Sequence, residues 1–179
     1  RRVLFRSIAA HSSVPARNVR ELIALAKAQA GKLLYASAGH GTQPHLTMEL
    51  FQMMAGVRLG HVAYKGGAPG IVDLVGGQVG ITASSSMSIL IPHVRAARIR
   101  AIAITSRERS SVLPEVPTVI ESGVASLATY ESVQWAGLLA PAQTPRDLLA
   151  RLHKDVTTQL RTNEARERLR ADAADVIAG

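Results

Sequence analysis

The sequence contains no cysteine, few aromatic residues and no long hydrophobic run. Because there is no cysteine among the 179 residues, disulfide frameworks, thiolate metal ligands and cysteine nucleophiles are excluded. Aromatic residues make up only 3% of the chain, so the core has to be built from Leu, Ile, Val and Ala. No apolar stretch approaches the ~20 residues that a membrane-spanning helix needs. Hydrophobic residues nevertheless make up 47% and charged residues 19%, which is typical of a chain that buries a core.

The formal net charge of +8 raises the question of whether the chain binds nucleic acid. The basic residues are scattered, however, and no dense basic run is interleaved with aromatic residues as a single-strand binding surface requires. We therefore interpret the charge as a solvated basic surface that also favours anionic solutes. A DNA-binding fragment stays open as an alternative, and its affinity would fall steeply with salt.

The first seven residues, RRVLFRS, do not resemble natural sequence. They look like the in-frame translation of a common sequencing-adapter oligonucleotide, so we exclude residues 1–7 from fold reasoning as one would an expression scar. We expect the natural sequence to begin near Ile8, well inside the gene, so that the signal peptide is missing. The codons upstream of Ile8 in the source genome should then not encode this heptapeptide.

Short apolar runs alternate with segments of helical period from Ile8 onward, which predicts an α/β fold. The predicted strands are 32–36, 59–64, 78–83, 99–105 and a long one at 130–139. The predicted helices are 19–29, 43–55, 68–75, 86–96, one from Pro145 with Thr144 as its cap, and one from about Asn163. Because single helices separate the strands before residue 105, we expect a mostly parallel sheet with both faces covered.

One turn stands out, in the stretch YASAGHGTQPHL at residues 35–46. It joins a predicted strand to a predicted helix and carries Ser37, Gly39, Gly41 and Thr42. Glycines let the backbone approach a ligand, and the first amides of a helix have no partner inside the helix. Together with the helix dipole, those amides predict an anion site. The same sequence is also typical of a plain strand-to-helix turn that binds no ligand.

Two further loops follow predicted strands and are equally small and donor-rich. They are Lys65-Gly66-Gly67 and the serine run that begins with Ser84 and Ser85. Open α/β sheets bind ligands at the carboxyl ends of their strands, so the three loops predict one shared pocket. Each charge-assisted hydrogen bond contributes about 1.5–3 kcal/mol, so three or four would supply micromolar affinity for a carboxylate without a permanent cation.

Four segments, in this order and spacing, resemble one family. They are YASAGHGTQPHL, HVAYKGGAPGIVDLVGGQV at 61–79, RAIAITSRERSSVLPEVPTVIESG at 100–123 and WAGLLAPAQTP at 135–145. The chain is identified from them as similar to the periplasmic solute-binding receptors of the tripartite tricarboxylate transporters, the Bug family. The resemblance implies a type II periplasmic-binding-protein fold, in which two α/β lobes close on a small organic carboxylate and deliver it to a membrane permease. It implies neither catalysis, nor a cofactor, nor contact with nucleic acid, nor insertion into the membrane.

The same resemblance implies a division of the chain. Residues 8–14 correspond to an inter-lobe strand, residues 15–130 to the second ligand-binding lobe, and residues 131–179 to the crossover strand and the C-terminal helices of the first lobe. Relatives commonly carry Asp where this chain has Gly80, and another acidic residue near Ser84. Because such groups would pair with an amino group, their loss favours a plain mono- or dicarboxylate over an amino acid.

Other interpretations of single residues stay open. Lys65 is either a ligand contact or a surface lysine with a packed stem, and Trp135 either packs at the lobe junction or stacks on an aromatic ligand. His40 and His45 are the only close pair of histidines, and no HExxH spacing surrounds them, so we predict no metal site. We interpret His40 as an exposed loop residue, and His45 and His61 as structural.

The alternative function is an α/β enzyme that uses the Ser37 to Thr42 loop as an oxyanion cradle. No Gly-x-Ser-x-Gly elbow, Walker motif or GxGxxG spacing is present. Turnover would need a general acid or base in the cleft, and the only carboxylate near the loops is Asp73. We interpret Asp73 as solvated and predict no catalytic residue.

Overall fold

The computed structural model describes residues 2–4, 7–84, 87–171 and 174–176, with side chains for residues 7–83, 89–134 and 137–169. The strands are β1 Arg2–Leu4, β2 Ser7–His11, β3 Leu34–Ser37, β4 Gly60–Ala63, β5 Ile81–Ser84, β6 Ile99–Ile104, β7 Gln134–Ala136 and β8 Ala174–Val176. The α-helices are α1 Val19–Ala28, α2 Gln43–Ala55, α3 Gly67–Val75, α4 Met87–Arg95, α5 Arg146–Leu160 and α6 Asn163–Ala171. Two 3₁₀ turns span Ile120–Ser122 and Ala125–Leu127.

The larger sheet has five strands in the order β4-β3-β5-β2-β6. Strands β3, β4 and β5 pair in parallel, and β2 runs antiparallel to both β5 and β6. Four of the five strands therefore point the same way, and the predicted α/β class with a mostly parallel sheet is confirmed. A second sheet, in the order β7-β1-β8, is antiparallel.

The excluded heptapeptide contributes to both sheets. Arg2–Leu4 forms β1 at the centre of the small sheet, and Ser7 opens β2, where it pairs with Ser84 and Ile104. The origin of residues 1–7 stays a prediction, because strand pairing does not bear on it.

Local signals place the ends of α1 and α2. The Asn18 side chain accepts a hydrogen bond from the Glu21 amide at 3.0 Å, and the Glu21 carboxylate accepts one from the Arg17 amide at 2.7 Å. These bonds satisfy amides that a helix start leaves without partners. Helix α2 ends at Gly56, whose φ of 63° is the left-handed conformation that glycine adopts without strain. The start of α1 and the end of α2 agree with the sequence prediction.

Two hydrophobic clusters cover the two faces of the large sheet. Successive residues of β3 point to opposite clusters: Tyr35 packs with Leu22 of α1 and Phe51 of α2, and Ala36 packs with Ile71 of α3 and with residues of α4. The sheet is therefore the middle of three layers. This arrangement leaves the carboxyl ends of β3 and β5 as an open edge where loops enter helices.

The long strand predicted at 130–139 is wrong, because only Gln134–Ala136 is strand. The Tyr130 amide turns back to bond Leu127 O at 3.0 Å, and the Ser132 amide bonds Thr105 O at 2.8 Å. Beyond β7, Leu138 and Leu139 are 81% and 93% exposed, and no described residue pairs with them in a strand.

The predicted Thr144 cap is also wrong. Pro145 holds the cap position of α5 without a side-chain hydrogen bond, and the Thr144 amide closes a turn onto Pro141 O at 3.0 Å. The helix near Asn163 is confirmed as α6. Within the described part of the chain, no helix has both the length and the apolar character to cross a membrane.

Candidate functional site

A cavity of about 250 Å³ lies at the carboxyl ends of β3 and β5. Its wall includes Ser37 from β3, Thr82 from β5, Gln43 and Pro44 from the first turn of α2, and Gly67 from the start of α3. Two helix N-termini therefore open onto the same space. Their first amides and positive dipole ends favour an anion.

The turn after β3 is held in shape by its own hydroxyl groups. The Ser37 hydroxyl donates to Gly39 O at 3.1 Å, accepts from the Gly39 amide at 3.1 Å and lies 2.6 Å from His61 Nε2. The Thr42 hydroxyl donates to the same Gly39 carbonyl at 2.6 Å. Ser37 and Thr42 line the cavity, whereas Gly39 and Gly41 lie outside its wall. The two glycines, with φ of 130° and 70°, form the tight turn.

The second predicted loop meets the first. The Tyr64 amide donates to Ser37 O at 3.0 Å, and the Gly66 amide donates to Ala38 O at 3.2 Å. Gly66 caps α3 with a φ of 109°, and Gly67, the first helical residue, lines the cavity. Lys65 is exposed and is not part of the wall.

The third predicted loop is described only in part. Ser85 lies outside the described residues, and for Ser84 only the backbone is described, as the last residue of β5. Thr82 and Ala83, just before this loop, line the cavity. The Thr82 hydroxyl donates to Ala36 O at 3.1 Å and ties the ends of β5 and β3 together.

Sequence reasoning missed several residues of the wall. Gln43 reaches across to the segment before β7, donating to Ser132 Oγ at 3.2 Å and to Val133 O at 3.1 Å. Gln134 of β7 closes the cavity from that side. A signal existed for Gln43, which directly follows Thr42 of the predicted anion-binding turn, but Gln134 comes close only through tertiary folding.

Gly70 belongs to the wall for a steric reason. A Cβ atom at this position would come within 3.2 Å of Ala36 Cβ and of the Tyr64 ring. Glycine therefore lets α3 approach β3 and narrows the cavity floor.

The charges of this site lie beside the cavity. Among the described residues, no ionisable side chain lines the wall. Asp73 accepts a hydrogen bond from Tyr64 at 2.6 Å. The pKa of Tyr64 is raised to about 12, mainly by burial and secondly by this carboxylate. An anion here would be held by neutral donors.

Three histidines lie together next to the first turn. Ring centroids are 4.3 Å apart for His45 and His61, 4.8 Å for His40 and His61, and 5.5 Å for His40 and His45. The Gly41 amide donates to His45 Nδ1 at 3.1 Å, so His45 supports the turn structurally. Burial, and then the neighbouring His45 and His40, lower the pKa of His61. The Trp135 side chain lies outside the described part of the structure.

Comparison with known proteins agrees with the fold. The chain is 33% identical over 156 residues to the protein BugT of Bordetella pertussis, covering 87% of this chain and 47% of BugT. The solved structure of R. palustris Rpa4515 with adipate has a TM-score of 0.87 at 31% identity, covering 97% of this chain and 56% of that one. MatC from Rhodopseudomonas palustris with bound malate has a TM-score of 0.84 at 26% identity, covering 97% and 57%.

The chain spans about half the length of these relatives. The family model described as the tripartite tricarboxylate transporter family receptor, TctC, matches residues 5–179. The resemblance inferred from the four sequence segments is thereby confirmed, and the chain belongs to the TctC family of tripartite tricarboxylate transporter receptors.

Proposed function

We propose that this chain is part of a periplasmic receptor that captures a small organic carboxylate. The observation that carries the proposal is the cavity in which the N-termini of α2 and α3 meet the ends of β3 and β5. Its wall offers amides, hydroxyls and carboxamides and, among the described residues, no ionisable group. Such a site binds an anion through many neutral donors instead of one cation.

The ligand class follows from the chemistry of the wall and is supported by the relatives. Rpa4515 is described with adipate and MatC with malate, and both molecules are dicarboxylates. Three or four charge-assisted hydrogen bonds of about 1.5–3 kcal/mol each suffice for micromolar affinity. Gly80 has no bearing on the ligand, because it precedes β5 and a Cβ there would meet Leu33 and Val14, away from the cavity. We propose a plain mono- or dicarboxylate as ligand, because no described ionisable group of the wall could pair with an amino group.

The proposed ligand-binding set keeps the residues inferred from sequence and gives them different roles. Gly67 and the first amides of α2 face the carboxylate directly. Ser37, Gly39, Gly41 and Thr42 hold the turn that aims those amides. Lys65, Gly66, Ser84 and Ser85 stay in the set on the basis of the sequence, and Ser85 lies outside the described residues.

Two lobes and a partner complete the proposal. Residues 15–130 would form one lobe, residues 8–14 the inter-lobe strand, and residues 131–179 part of the other lobe. Helix α5 supports this division, because none of its residues is buried and Leu148, Leu149 and Leu152 are 44%, 38% and 47% exposed. Binding would shift an open–closed population, and the closed form would be recognised by permease subunits.

A ligand screen tests the proposal. The chain, and a form extended to the length of its relatives, are heated with adipate, malate, amino acids, sugars and amines. We expect carboxylates to raise the melting temperature, because a ligand at one hundred times its Kd stabilises the folded state by about 2.7 kcal/mol. The extended form should respond at lower concentrations, because the other lobe adds contacts. Stabilisation by sugars or amines alone would refute the ligand class, and consumption of the carboxylate would favour an enzyme.

A further inference from the structure

The histidine cluster brings three potential metal ligands together from different parts of the fold. One ring nitrogen from each of His40, His45 and His61 lies within 4.8 Å of the corresponding nitrogens of the other two. His40 belongs to the turn after β3, His45 to the first turn of α2, and His61 to β4. The parallel pairing of β3 with β4 sets Tyr35 opposite His61, and this register delivers the third histidine to the other two.

The hydrogen bonds of the cluster leave lone pairs for a cation. The 2.6 Å contact with Ser37 Oγ engages Nε2 of His61. A cation would therefore meet this ring at Nδ1, in the tautomer that carries its proton on Nε2. Within the described residues, neither His61 Nδ1 nor either ring nitrogen of His40 has a hydrogen-bond partner.

A carboxylate lies beside His45, at a distance that must shorten to form a hydrogen bond. Its Nδ1 accepts from the Gly41 amide, which puts the proton on Nε2, and Nε2 lies 3.9 Å from Glu49 Oε1. Tyr35 donates to the same carboxylate oxygen at 2.7 Å, and Gln52 donates to it at 2.8 Å. Metal-binding histidines commonly direct their second N–H to an anchored carboxylate of this kind.

We propose that His40, His45 and His61 bind a divalent transition-metal cation of the zinc class. Imidazole nitrogens suit Zn²⁺, Ni²⁺ and Cu²⁺, whereas Mg²⁺ and Ca²⁺ prefer oxygen ligands. Glu49 is a positioning residue, which holds His45 with Nδ1 toward the ion. The sequence predicted no metal site, because His61 lies sixteen residues from His45 and only the strand pairing joins them.

Closure of the site needs small movements of side chains. Three nitrogens at ~2.0–2.1 Å from a tetrahedral Zn²⁺ lie about 3.3 Å apart, so the present separations of up to 4.8 Å must contract by at most about 1.5 Å. The stack of His45 on His61, with 25° between the planes, has to open, and His45 Nδ1 exchanges the Gly41 amide for the ion. The His40 side chain is exposed and can change rotamer to meet them.

Calorimetric titration of the whole chain with Zn²⁺ tests the proposal, with Co²⁺ as a spectroscopic probe of ligand geometry. We expect one ion per chain, the visible absorption of four-coordinate Co²⁺, and a Kd that rises at least ~10-fold in His40→Ala. His40 is exposed and outside the cavity wall, so this variant should fold. Glu49→Gln should raise the Kd by about 10-fold, the scale on which outer-sphere partners act.

His153→Ala is the matched control, since His153 is exposed on α5 and away from the cluster. It should bind Zn²⁺ like the parent chain. Failure of the parent to bind at millimolar Zn²⁺, or equal affinities of the parent and His40→Ala, would overturn the proposal. Carboxylate capture is tested separately and does not depend on this result.

Discussion

Replacing Ser37 by Ala tests whether the first turn is held in shape by a single hydroxyl group. The Ser37 side chain is only 4% exposed, and its oxygen contacts the Gly39 amide, Gly39 O and His61 Nε2 at 3.1, 3.1 and 2.6 Å. Alanine fits the same space but leaves the Gly39 amide and His61 without this partner. We therefore expect the turn to loosen while the core stays intact.

The expected cost follows from these contacts. Gly39 O keeps the Thr42 hydroxyl as a donor, so two groups, the Gly39 amide and His61, are left without the serine oxygen. At about 0.5–1.5 kcal/mol for each of these two hydrogen bonds, the free energy of unfolding falls by about 2 kcal/mol. In a domain of this size, 1 kcal/mol shifts the melting temperature by about 2–4 °C, so Ser37→Ala should melt about 4–8 °C lower. Affinity for adipate should fall at least ~10-fold, because the amides of α2 lose their fixed direction.

Urea denaturation followed by circular dichroism measures the stability, and calorimetry measures the affinity. Ser111→Ala is the control, because Ser111 is an exposed turn residue whose replacement should change stability by less than ~0.5 kcal/mol. If Ser37→Ala matched this control in both stability and affinity, the hydroxyl would not shape the turn.

Three other changes probe the core, an ion pair and the cavity. Phe51→Ala removes a fully buried ring and should cost about 3–5 kcal/mol in urea denaturation, and a loss below 1 kcal/mol would contradict the core assignment. Hydrogen bonds from Arg109, and then the Thr118 amide, lower the pKa of Glu121 from 4.5 to about 2, so its stabilising effect is present above pH 4.5 and is lost as the pH falls toward 2. Glu121→Gln should therefore melt lower than the parent at pH 7 and equal it near pH 2, and a constant difference would argue against the pair. A Cβ at position 67 would meet no atom within 4 Å, so Gly67→Val should melt within about 3 °C of the parent. The added side chain should narrow the cavity and abolish adipate binding.

Features that depend on local sequence could be predicted, and those that depend on distant partners could not. The ends of α2 follow from the turn before it and from Gly56, because capping acts within one helical turn. The predicted length of β7 is too great, because the length of a strand depends on which other strands lie beside it. Nothing in the apolar pattern distinguishes a strand with a neighbour from an extended segment without one.

The candidate site shows the same division. The three loops could be placed at one edge of the sheet, since parallel strands end on the same side. The places of Gln134 and His61 could not be predicted, because β7 and β4 reach the site through strand pairings that no short motif encodes. The positions of the hydroxyls also differed from expectation, since those of Ser37 and Thr42 bond the turn itself.

The most direct test of carboxylate capture is an amide NMR titration of this chain with adipate, because NMR detects even millimolar binding. We expect the largest shifts on the amides of Gln43 and Gly67 and on the turn from Ser37 to Thr42. Shifts confined to another face of the molecule, or none at saturating adipate, would rule out carboxylate capture at this cavity.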